Sequence, residues 1–258
     1  MGKIVSIHSF RGGTGKSNIT ANLAVSVARE RNRVGIVDTD IQSPGIHVLF
    51  DVDVEKIAHP LNDYLWGKCS IEETALDVSP ILLDEEGKQA AGIGAVYLIP
   101  SSNKTREITR VLREGYDVGT LNDGFQDLIK RLKLDYLFID THPGLNEETL
   151  LSIAVSDILI LILRPDKQDF QGTAVTVEVA RKLQVPNLFL VVNKVLQDFD
   201  FEDVKRQVET TYQVPVAALL PLSVDMIRLA SGGIFSLKNP GHPISVEIGK
   251  IARWITGS

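Results

Sequence analysis

The chain has 258 residues, 44% of them hydrophobic and 23% charged, with a formal net charge of −6. That composition supports a sizeable buried core and excludes a disordered chain; no apolar run reaches the ~18–20 residues of a membrane-spanning helix, and one cysteine, Cys69, excludes an internal disulfide framework. Charge excludes no class of partner, because it is segregated: between Asp51 and Glu86 ten carboxylates face two lysines, a local net of −8 that leaves +2 for the remainder.

The first expected element is the apolar run KIVSIH, Lys3–His8, followed by the glycine-rich stretch SFRGGTGKSN, Ser9–Asn18. A helical segment comes next, with Ala21, Ala24, Val25 and Ala28 on one face. RVGIVDTD then reads as a second strand ending in Asp38 and Asp40. From about 51 to 93 the rhythm breaks, and HPLNDYLWGKCS and DEEGKQAAG read as an acidic insertion with short elements of its own. It could dock a basic adaptor, but a solvated loop is the simpler expectation. Further strands are expected at LDYLFIDTH, SDILILILRP, PNLFLVVNK and PVAALLP, with a helix between them carrying Thr173, Val177, Ala180 and Leu183 on one face. Runs of Val, Ile and Leu without polar alternation are strands buried on both faces. The expected fold is therefore α/β: a doubly wound, mostly parallel sheet flanked by helices, as one domain over residues 1–258. At the end, PISVEIGKIARWITGS places Ile244, Ile248, Ile251 and Ile255 on one stripe, read as a helix docked on the core.

GGTGKS, Gly12–Ser17, lies between an expected strand and an expected helix, which is the setting a phosphate-binding loop needs. Gly12, Gly13, Thr14 and Gly15 let backbone amides approach phosphate oxygens closely, and the helix start favours anions. Lys16 reaches the outer phosphates, the Ser17 hydroxyl enters a Mg²⁺ shell, and Asn18 completes the nucleotide-contacting run. Asp38 and Asp40 end one strand and Asp140 another, and ligands of open α/β sheets bind at the carboxyl ends of strands. Asp140 has the form of a second Mg²⁺-binding carboxylate, and Gly144 beyond it would offer an amide to the γ-phosphate. Guanine readers carry Asn-Lys-x-Asp, but here NKVL puts Leu196 in the last place. Asn193, near Pro221, remains for an adenine, so ATP is expected over GTP.

These motifs resemble the ParA/MinD family of deviant Walker-box ATPases, with RGGTGKS for the family's KGGxGK[ST], DTD for its Asp-x-Asp switch, and FIDTHPG for its Asp-Thr-Pro-Pro-Gly-like segment. The resemblance covers nearly the whole chain. It implies a homodimer that closes over ATP and separates after slow hydrolysis. Asp40 would orient or deprotonate the attacking water, and Asp38 and Asp140 would support Mg²⁺ through water. Arg11 stands where relatives carry a lysine that crosses the dimer, and arginine presents a different, planar fork. Either Arg11 crosses, or another cation does, with Lys167 the first candidate and Arg164 the second. A carboxysome-positioning, McdA-like branch lacks the signature lysine and uses a distant one. Asp157 is a candidate partner for Arg11. His142 replaces the usual proline or serine.

The resemblance leaves three readings. The first is a ParA-like ATPase that binds nonspecific DNA, associates with the nucleoid of the cytoplasm and positions a plasmid, chromosome or carboxysome through an adaptor of ParB or McdB type. Arg181, Lys182, Arg228, Lys238, Lys250 and Arg253 are its candidate DNA contacts. The second is a MinD-like membrane ATPase, disfavoured because the terminal helix offers one aromatic, Trp254, and two basic residues. The third is a switch that scarcely hydrolyses, since Arg11 and His142 replace family residues. Iron–sulfur carriers of the same fold need cysteine pairs, which Cys69 alone does not supply.

Overall fold

A computed structural model of the chain describes residues 2–83 and 94–257; part of the expected acidic insertion, at 84–93, lies outside the described residues. In chain order the elements are β1 (Lys3–His8), α1 (Lys16–Arg29), β2 (Arg33–Asp38), α2 (Leu61–Leu65), β3 (Leu76–Asp77), β4 (Ala95–Ile99), α3 (Thr105–Glu114), α4 (Val118–Arg131) and β5 (Tyr136–Asp140). There follow α5 (Glu147–Ala154), β6 (Ile158–Leu163), α6 (Lys167–Lys182), β7 (Asn187–Val195), α7 (Phe201–Tyr212), β8 (Val216–Pro221), α8 (Val224–Leu229), α9 (Phe235–Lys238) and α10 (Pro243–Thr256).

The strands form one sheet in the order β3-β4-β2-β5-β1-β6-β7-β8. All neighbours run parallel except β3 against β4. Every residue of β6, ILILIL, is buried, as a strand between two helix layers requires. On one face α1 and α10 cover side chains such as Val5, Ile36, Phe138 and Ile160. On the other, α4 covers Val37, Leu137 and Ile139, while α6 and α7 cover Leu159, Leu161 and Val192. The strand order reverses at β1, and the crevice beyond its carboxyl end is where such sheets hold ligands.

Two strands were not expected. β4, AVYLI, follows directly on the irregular acidic segment, and β3 has only two residues. The described part of that segment is also not a solvated loop. It forms α2 and 3-10 turns over Val54–Lys56, Ile71–Thr74 and Ser79–Leu82, and it buries Leu61, Ile71 and Leu82. Apolar residues spaced for short turns anchor it to the sheet edge, which its acidic composition hid.

The terminal helix is docked as expected. Ile244, Ile248, Ile251 and Ile255 are all buried in the core cluster shared with α1, and Trp254 sits edge-on to Phe189, with ring centroids 4.0 Å apart. No described helix is long and apolar enough to cross a membrane. Ile248 is fully buried, so Ile248→Ala should lower the unfolding free energy by about 2–5 kcal/mol, the range for emptying a packed aliphatic site. Urea denaturation measures this, and a loss below ~0.5 kcal/mol would mean that α10 is not held on α1.

Candidate nucleotide site

The chain leaves β1 at His8 and turns through Ser9–Gly15 into α1. Two glycines make the turn possible, Gly13 at φ 77° and Gly15 at φ 94°, both in the left-handed region. Gly15 caps α1 without a side-chain hydrogen bond, so the first amides of the helix are left to an anion. A side chain at Gly15 would also meet Asn193, whose Nδ2 would lie 2.5 Å from the new Cβ. Asn193 comes from β7 and donates Nδ2 to the Thr14 carbonyl at 2.7 Å. The next residue, Lys194, donates Nζ to the Gly13 carbonyl at 2.8 Å. Lys194 reaches the loop because β7 and β8 slip register between Val192 and Val195, and Lys194 takes φ 60° there. Pro221 pairs with Val195 at the same place.

Beside the loop, β2 and β5 run in a register that sets Asp38 opposite Asp140. Both are buried, at 0% and 1% exposure. Lys16, itself 7% exposed, donates Nζ to Asp140 Oδ1 at 2.7 Å, and Thr20 donates its hydroxyl to the same oxygen at 3.1 Å. Asp38 accepts the amides of Asp40 and Gly45. Burial above all, then the neighbouring Asp140 carboxylate, pushes the Asp38 carboxyl well above the usual range, against the pull of Lys16. Asp40 behaves oppositely. Burial opposes its ionised form, but hydrogen bonds from His142 and Ser43 and the charge of Lys16 prevail and hold it below the usual range. The His142 Nδ1 to Asp40 Oδ1 distance is 2.7 Å, and Ser43 donates Oγ to the same oxygen at 2.8 Å. Buried His8, whose Nδ1 is 2.7 Å from the Thr141 hydroxyl, is depressed to about 3 by burial, Lys16 and His142, and is neutral.

The expected loop residues, Asp38, Asp40, Asp140 and Asn193 thus converge. Ser17 and Asn18 lie in the first turn of α1. Gly144, at φ 89°, donates its amide to the Ser9 carbonyl at 3.3 Å. Two expectations need correction. Asp157 does not pair with Arg11: its Oδ2 accepts the Ile4 amide at 2.8 Å, and Arg11 instead contacts Gln168. Arg164 is committed to buried Asp169 through Nε and Nη2, at 2.9 and 3.0 Å. Lys167, by contrast, opens α6 exposed, lining a cavity with Phe170 and Phe199.

Five of the six basic residues singled out for DNA hold partners within the chain. Arg181 caps the end of α7 through the Tyr212 carbonyl. Lys182 pairs with Glu178, Arg228 with Asp225 and Lys250 with Glu247. Lys238 donates to the Gly232 carbonyl. Sequence reasoning missed Thr20, Ser43, Gln168 and Lys194; of these, Lys194 alone had a signal, as the neighbour of Asn193.

The chain has clear relatives. The sequence profile of a family described as "ParA: NUBPL iron-transfer P-loop NTPase" matches residues 1–256. An uncharacterized ATP-binding protein of Methanocaldococcus jannaschii is 26% identical over 255 residues, 98% of this chain and 88% of that one. An iron-sulfur cluster carrier protein of Pseudomonas fragi is 27% identical over 262 residues, 96% of this chain and 83% of its own. The septum site-determining protein MinD of Pyrococcus horikoshii, solved with Mg-ADP, shares the fold with a TM-score of 0.79 at 22% identity, covering 99% of this chain and 96% of that one.

Proposed function

The chain belongs to the ParA family of P-loop NTPases, and on that premise we propose that it acts as one ATPase domain that dimerises over ATP, docks on nonspecific DNA and positions a cargo through an adaptor protein, with slow hydrolysis ending the cycle. The observation that carries this reading is the meeting of the phosphate loop with Lys16, Asp38, Asp40 and Asp140 at one carboxyl edge. The amides of Gly12–Gly15 and the start of α1 take the phosphates, with Ser17 and Asn18 in the same turn. Lys16 exchanges Asp140 for the outer phosphates. Asp140, Asp38 and the Ser17 hydroxyl are the hard oxygen donors available to Mg²⁺. Mg²⁺ is commonly held by one or two carboxylates together with the substrate's own phosphates, which this donor set can supply. When bound, Mg²⁺ neutralises charge developing on the phosphates.

Asp40, fixed by Ser43 and His142, orients the attacking water. Gly144 gives up the Ser9 carbonyl to meet the γ-phosphate. Asn193 and Pro221 border the adenine, and the P. horikoshii protein with Mg-ADP supports an adenine nucleotide. Cysteine supply weighs against iron–sulfur transfer: two copies of this sequence bring two thiolates, both from Cys69, half of what a four-cysteine cluster takes. The isoleucines that a membrane anchor would expose are buried against α1.

Chromatography with light scattering tests the dimer directly. Wild type should pass from the monomer to the dimer mass when Mg-ATP is added. Arg11→Ala or Lys167→Ala should remain monomeric, according to which cation crosses to the partner's phosphates. A wild-type mass that stays monomeric with Mg-ATP would sink the reading.

A further inference from the structure

We propose that the outward face of α3, with Lys68 beside it, is the surface that holds the phosphate backbone of duplex DNA. This rests on the reading that the ATP-bound protein binds DNA, and it assigns the contact to a place that the sequence did not suggest.

Arg106, Arg110 and Arg113 are spaced i, i+4 and i+7 along α3 and are all exposed, while Val111 faces the core. A helix sets such residues on one stripe. Lys68 approaches from the turn after α2, and the stripe borders an open cavity of about 680 Å³ whose wall also carries Thr105, Thr109 and the carboxylates of Glu107 and Glu114, so that four cations there stand against two acids. Trp66 fixes two of the cations: the Arg110 guanidinium lies 4.1 Å from its ring centroid and the Lys68 ammonium 5.1 Å. Cations held over an indole keep their charge and lose little further freedom when an anion arrives. Arg110 shares Glu114, and Lys68 shares Asp63, in exposed pairs, which are worth little and exchange readily for phosphate. Arg106, Arg113 and nearby Lys104 have no ion-pair partner among the described residues, unlike Lys182, Arg228 and Lys250.

The dimensions fit a nucleic-acid strand. Seven residues of α-helix rise about 10 Å, close to three phosphate-to-phosphate steps of about 3.4 Å along one strand. The pattern does not fit an interfacial membrane helix, which sets bulky apolar side chains along a continuous face. The large apolar residue exposed on α3, Leu112, stands off the stripe. The loop into α3 also touches the nucleotide site, because Ser101 donates its hydroxyl to the Asp38 carbonyl at 2.7 Å.

The test is fluorescence anisotropy with a labelled duplex of arbitrary sequence and Mg-ATP, across a salt series. The full chain is compared with Arg106→Ala/Arg113→Ala, which spares the Trp66 stack, and with a Lys182→Ala/Arg253→Ala control; retained ATPase activity shows that each is folded. The α3 variant should bind at least about tenfold more weakly, with a log–log salt slope shallower by about 2, one for each cation removed. The control should match wild type. If wild type binds and the α3 variant binds equally with the same slope, this surface is wrong and DNA docking stands. If wild type fails to bind the duplex with Mg-ATP, or binds anionic vesicles in its place, the DNA reading falls and this assignment with it.

Discussion

Lys16→Ala should abolish nucleotide binding: a thermal unfolding scan with Mg-ATP should superimpose on one without it. Wild type at a hundredfold excess over Kd should gain about 2.7 kcal/mol from the ligand. The physical reason is the position of Lys16. Its ammonium is the counter-charge hydrogen-bonded within the buried Asp38–Asp140 pair, and in the ATP form the same ammonium must meet phosphate. Removing it leaves two buried carboxylates facing incoming polyphosphate. Without nucleotide the variant should also be less stable, since breaking a buried ion pair from one side costs about 3–5 kcal/mol. Lys16→Gln separates the effects, because it restores a donor toward Asp140 without the charge: stability should recover in part, and the Mg-ATP shift should not. A wild-type shift in Lys16→Ala would refute the assignment of the phosphate loop.

The second large effect is on hydrolysis. Asp40→Ala should lower kcat by about 10²–10⁴-fold, the span for losing a positioned acid–base or water-orienting group. Dimerisation with Mg-ATP should be retained, so the dimer accumulates instead of decaying. Asp40 is held by Ser43 and by His142 at 2.7 Å, so the His142 ring is placed to position it. His142→Ala should therefore lower kcat with little change in KM. His142→Asn, whose amide nitrogen stands near the place of Nδ1, should recover most of the rate. Single-turnover measurements read both. Unchanged hydrolysis in Asp40→Ala would remove Asp40 from the reaction.

The site was more legible than the ground around it. A phosphate loop depends on residues contiguous in sequence, and strand-end carboxylates announce themselves by the apolar run before them, so Lys16, Asp38, Asp40 and Asp140 could be placed together from spacing alone. Asn193 was found through its Asn-Lys context. Asp157, a candidate partner for Arg11 by resemblance, accepts from the Ile4 amide instead, and nothing in the sequence tells whether a carboxylate will turn to a side chain or to a backbone amide. β4 is not announced in the sequence because the described part of the crossover before it, built of short turns, offers no period to read. The arginine stripe does not show in charge summed over blocks, since its meaning lies in helical phase, and Glu107 and Glu114, which line the same cavity, dilute the total.

Helix α1 lies between the phosphate loop and the far end of the chain, with α10 along its flank and the Ser236 amide bonded to Asn22 at 2.7 Å. A chain without residues 243–256 would keep the loop's glycines and lysine but lose the packing of α10 on the helix they open onto. Truncation before Pro243 should therefore loosen the phosphate loop without altering any of its residues, read as a lower affinity for Mg-ATP.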